Sequence, residues 1–95
     1  LREVADALIG YTKAREVRIQ LESLMETWRD AARLSQLRYK GGVTSYLEVL
    51  DSERQLFDAE LNLAQGKANE LLAVVTLYKA LGGGWNAEEA EPPAK

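Results

Sequence analysis

The chain has 95 residues, 46% hydrophobic and 28% charged, a composition ordinary for one small helix-rich domain or a piece of a larger protein. It contains neither cysteine nor histidine, which excludes disulfides, thiolate or imidazole metal ligands, a cysteine nucleophile and the commonest general base. The net charge of −3 is split between eight Lys/Arg against six Asp/Glu in residues 1–40 and four against nine in 41–95, and the basic groups of the first arm are interleaved with carboxylates, which does not suit nucleic acid.

From Leu1 to about Arg38 there is no proline and no strand-like alternation. Apolar residues recur at Val4, Leu8 and Tyr11, then at Leu21, Leu24/Met25, Trp28 and Ala31/Ala32. These steps of three and four predict an amphipathic helix over about 1–38. Gly10 and the stretch Lys13 to Arg18, poor in large apolar groups, make its beginning the weaker half. No signal peptide opens the chain, and a start at Leu1 rather than Met is expected of a piece of a longer protein.

A twin-glycine break, Gly41-Gly42, follows, within a turn over about 39–45. It precedes a helix start, but it has no lysine at phosphate-loop spacing and no preceding strand, so a turn using positive φ is expected. Ser45-x-x-Glu48 then reads as a capping box.

The second helix is predicted over about 46–81. Three seven-residue series run along it. Val49, Leu56, Leu63 and Leu77 form one, interrupted by Glu70; Leu50, Phe57, Ala64, Leu71 and Tyr78 form a second; Leu47, Leu61, Ala68 and Val75 form a third, with Arg54 its polar member. Such spacing is a coiled-coil signature, and three series make a face wide enough for more than one neighbour. Gly82-Gly83-Gly84 supplies a stop, and 86–95 is acidic, carries both prolines and is expected to be a disordered tail. No apolar run reaches the ~20 residues that would span a bilayer as a helix.

Two matched arms joined by a short turn predict an all-α fold, an antiparallel coiled-coil helical hairpin over residues 1–85. Because a lone pair buries one face of each helix, self-association is expected. Glu48 and Asp51 share one face near the turn. They form either part of an acidic ring that attracts cations or simply a favourable pairing with a helix N-terminus. Arg54 either ties hairpins together or pairs with Asp51 three residues away. No nucleophile, base and orienting group can be assembled, so an enzyme is not expected, and no cofactor or metal is implied.

Arg38-Tyr39-x-x-Gly42 followed by Tyr46-Leu47-x-Val49-Leu50-Asp51-x-x-Arg54 resembles the second helical-hairpin repeat of TolC-like outer membrane efflux proteins. Leu77-Tyr78-Lys79-Ala80-Leu81-Gly82-Gly83-Gly84-Trp85 is similar to the closing segment of the branch serving RND-type multidrug pumps. The resemblance implies a homotrimeric channel in the outer membrane of a Gram-negative bacterium, with this segment in the periplasm as part of an α-helical barrel. It also implies a periplasmic adaptor protein and an inner-membrane RND pump as partners, and a hairpin tip that gates the entrance for drug export. On this resemblance Leu47, Glu48 and Asp51 line the constriction, Tyr39 and Arg54 belong to the tip network, and Gly41 and Gly42 make the tip turn. Thr44 departs from the pattern, standing where TolC has an arginine, and Gly41-Gly42-Val43 also differs from the family tip. The competing reading is a generic coiled-coil interaction module or a self-contained four-helix-bundle dimer.

Overall fold

A computed structural model describes residues 2–94, with side-chain surroundings for 2–82. Helix α1 spans Arg2–Lys40 and helix α2 spans Tyr46–Ala94. Arg18 meets Glu70 while Gln36 meets Glu53, so the arms run antiparallel, and the fold is the expected all-α helical hairpin. The triple-glycine stop and the tail at 86–95 fall largely among residues 83–95, whose side chains lie outside the described residues.

The seam between the arms follows a strict heptad rhythm. On α1 the seam positions run Val4, Ala7, Tyr11, Ala14, Arg18, Leu21, Met25, Trp28, Ala32 and Ser35, in alternating steps of three and four, with Glu22, Ala31 and Gln36 partly shielded beside them. On α2 they run Val49, Ser52, Leu56, Ala59, Leu63, Gly66, Glu70, Ala73, Leu77 and Ala80. This is the 3.5-residue period that keeps one stripe against a partner helix. Large and small residues alternate along α2, so each bulky side chain is followed by a site where the facing backbone can come close. Met25, Ala59 and Leu63 form the buried centre, with Leu21, Trp28 and Leu56 packed against them.

The structure selects one of the three apolar series for this seam, the one containing Val49, Leu56 and Leu63. The other two point away from α1: Leu47 is 74% exposed, Leu71 65% and Tyr78 77%. On α1, Leu8 and Leu24, expected on the inner face, are exposed, and Ala7, Ala14 and Ser35 take the seam positions. The reason is geometric: a two-helix seam admits only the residues of one narrow stripe.

The turn is a Schellman closure. Gly42, with φ of 75°, donates its N–H to the Tyr39 carbonyl at 3.0 Å, and Val43 donates to the Arg38 carbonyl at 2.8 Å. Only Gly42 needs to be glycine. A Cβ at Gly41 would meet nothing nearer than the Leu37 carbonyl oxygen at 3.5 Å, an ordinary contact. Gly42→Ala is therefore expected to cost about 1–2 kcal/mol, the penalty of a left-handed alanine, while Gly41→Ala stays within about 0.5 kcal/mol. Urea unfolding of the two variants checks this, and equal losses at both positions would refute it.

Candidate functional site

The tip is built by the end of α1, the Schellman turn and the first two turns of α2. The predicted capping box does not form: the Glu48 backbone N–H donates to the Ser45 carbonyl at 3.2 Å rather than to the Ser45 hydroxyl, and the Glu48 carboxylate does not accept from the Ser45 N–H. That carboxylate instead accepts from the Thr44 hydroxyl and lies 3.8 Å from Arg38 Nε across the turn. Glu48 thus ties both arms to the loop, a use that a local capping pattern cannot reveal. Thr44, the departure from the family pattern, takes part in this closure.

Tyr39 packs its ring against Tyr46, with centroids 5.1 Å apart and planes tilted by 57°. The centroid distance lies within the range of favourable aromatic pairs, and the contact joins the last turn of α1 to the first of α2. Arg54 lies elsewhere, on the outer face of α2, so the hairpin by itself does not bring Tyr39 and Arg54 together. Gly41 and Gly42 sit at the tip, as described above.

Leu47, Asp51 and Arg54 follow one another at steps of four and three and share the face of α2 turned away from α1. All three are exposed, whereas their neighbours Val49 and Ser52 are buried in the seam. Among the described residues no ion pair joins Asp51 to Arg54, although three-residue spacing would permit one. The two opposite charges are both presented outward from the same face.

Sequence reasoning missed a polar cluster in mid-hairpin. Arg18 grips Glu70 with a fork, Nε to Oε1 at 2.8 Å and Nη2 to Oε2 at 3.3 Å, and its Nη1 holds Glu22 Oε1 at 2.9 Å. The two side chains are about a fifth exposed, 23% for Arg18 and 19% for Glu70. The hydrogen bonds from Arg18 lower the Glu70 pKa against a smaller opposing effect of desolvation, and those to Glu70 and Glu22 raise that of Arg18. The legible signal was the interruption of the Val49 series by Glu70, which called for a cation opposite. Gly66, buried one turn away, was missed as well. Its signal was the heptad of small residues Ser52, Ala59, Gly66, Ala73 and Ala80.

No described helix is long and apolar enough to cross a membrane. What the arrangement offers is an elongated two-helix strut with a closed tip, charged and apolar groups on the outer face near the tip, and an apolar stripe continuing away from it.

Residues 1–83 match the family model described as outer membrane efflux protein. The chain is 40% identical over 89 residues to a solvent efflux pump outer membrane protein, SrpC of Pseudomonas putida, covering 93% of this chain and 19% of that protein. It is 38% identical over 85 residues to the outer membrane protein OprJ of Pseudomonas aeruginosa, covering 90% and 18%. A toluene efflux pump outer membrane protein of Pseudomonas putida, TtgF, is 37% identical over 91 residues, covering 96% and 19%. The chain spans about a fifth of the length of these curated relatives. A match over most of the hairpin, tip and seam together, makes this chain a member of the outer membrane efflux protein family.

Proposed function

We propose that this hairpin is a periplasmic segment of an α-helical barrel in a trimeric outer membrane efflux channel, and that its tip helps gate the channel's periplasmic entrance. The observation that carries this reading is the outward stripe of α2. Leu50, Phe57, Leu61, Leu71 and Tyr78 are exposed on a helix whose seam is already filled. A solitary hairpin has no use for so much exposed apolar surface, whereas a barrel of side-by-side helices covers it. At the tip this stripe ends in Leu47, Asp51 and Arg54, which a ring of copies would bring together as an apolar constriction, an acidic ring and a cation able to pair across copies.

The partners assigned on this reading are two further protomers, a periplasmic adaptor protein at the tips, and an inner-membrane RND pump that delivers the cargo; the relatives' names as efflux pump outer membrane proteins support a pump partner. The relatives' names mention solvents and toluene, and small organic compounds are the substrate class we assign. The role is transport, with no reaction carried out by this segment. Self-association of the hairpin in a dimeric four-helix bundle would also cover the outward stripe, but it gives no role to charged groups on that face at the tip.

The channel itself supplies the test. In the full-length protein, Asp51→Ala is expected to weaken block by multivalent cations about tenfold or more, the lower end of the concentrating effect of a charged cleft. Single-channel conductance in planar bilayers should rise as the constricting side chains shorten. Unchanged conductance and unchanged block would remove the gate assignment.

A further inference from the structure

Burial is unevenly distributed along the hairpin. On α1 the buried residues begin at Met25, and on α2 they end at Gly66. Farther from the tip no described residue is buried: Tyr11 and Leu77 at the same heptad positions reach only the half-burial that Leu21, Trp28 and Leu56 show beside the buried centre on the tip side. The change falls at the level of Arg18 and Glu70, about 33 Å from the last turn of α1 at 1.5 Å per residue.

Two independent features coincide at that level. The first is a close backbone approach: a Cβ on Gly66 would lie 2.7 Å from Leu21 Cδ1 and 3.7 Å from the Arg18 Cα. The second is the fork between Arg18 and Glu70, which both stand on seam positions. An ion pair at such a position adds little net stability but strongly penalises misalignment. A slip of one heptad would set Arg18 opposite Leu63 or Leu77, and Glu70 opposite Tyr11 or Met25, leaving each charge against an apolar or uncharged group.

We infer that Arg18, Glu70 and Gly66 form a pin that holds the two arms in register and divides the hairpin into a tightly packed tip half and an outer half whose arms can separate. Arg18 is the centre of the pin, since its backbone packs on Gly66 while its side chain reaches Glu70. Glu22, on the same helix as Arg18, orients the guanidinium but cannot bind the arms together. This inference rests on the hairpin geometry alone and holds whether or not the tip gates a channel.

Cysteine cross-linking in the full-length protein tests it. Gln36 and Glu53 face each other across the arms, joined by a hydrogen bond, so Gln36→Cys with Glu53→Cys reports on the tip half. Four heptads outward on each arm the same register places Leu8 opposite Leu81, and Leu8→Cys with Leu81→Cys reports on the outer half. Adding Glu70→Ala is expected to slow cross-linking of the outer pair about threefold or more, the lower range of coupling between contacting residues, with the tip pair unchanged. Glu70→Gln should have a smaller effect in the same direction, and Glu22→Gln should leave both pairs as they were. The inference is overturned if Glu70→Ala changes neither pair, if it slows both equally, or if Glu22→Gln acts as strongly as Glu70→Ala.

Discussion

Leu63→Ala is expected to lower the unfolding free energy by about 2–3 kcal/mol, toward the lower end of the range for truncating a buried leucine. Leu63 is only 6% exposed and stands at the centre of the seam among Met25, Ala59, Leu21, Trp28 and Leu56. The low end applies because two helices, unlike a closed core, can partly collapse into the space. Against a stability of the order of 5–15 kcal/mol for a typical domain, this is a large loss. Leu71→Ala is the informative contrast. Leu71 is 65% exposed, so its truncation in the monomeric hairpin, diluted below self-association, should cost less than about 0.5 kcal/mol. In the assembled full-length protein the same change should cost more, because neighbouring helices would cover that face. Denaturant unfolding of both variants in both settings provides the measurement. A Leu63→Ala loss no greater than that of Leu71→Ala in the hairpin alone would contradict the seam described above.

Gly66→Leu is expected to destabilise the hairpin by a net of about 2 kcal/mol, from overpacking of up to ~3 kcal/mol offset by up to ~1 kcal/mol of improved helix propensity. Its first added atom would already overlap Leu21, and the remaining atoms would push against the α1 backbone at Arg18. Gly66→Ala should behave quite differently. The atom it meets most closely is the far end of Leu21, which can rotate away, and the propensity gain roughly balances the adjustment. The expected signature is a steep dependence on side-chain size at one position, read from thermal unfolding followed by helical circular dichroism. If leucine were tolerated as well as alanine, the close approach of the arms would not constrain the fold.

Taken residue by residue, much of the fold was legible from local pattern. Steps of three and four marked both helices, and Gly42 marked the turn because only glycine adopts its left-handed conformation without strain. The same pattern placed Leu47, Asp51 and Arg54 on one face, since helical geometry decides that without any knowledge of a partner. The capping role given to Glu48 was legible only in part. Its position at the helix start is as expected, but neither bond of the capping box forms, because its N–H donates to the Ser45 carbonyl and its carboxylate chooses Thr44 and Arg38, and Arg38 belongs to the other arm.

The sequence by itself determined that two long helices would meet through a tight turn and that α2 would carry more apolar surface than one neighbour can cover. Both follow from interactions within a few residues along the chain: periodicity, propensity and turn chemistry. Only the tertiary structure decided which of three similar series enters the seam, and it turned the series of Leu47 and that of Leu50 outward. It alone paired Arg18 with Glu70, residues 52 apart in the chain, and set the α1 backbone against Gly66. These depend on the register of one arm against the other, which rests on small residues and matched charges spread over both arms, a signal that no single window of sequence contains.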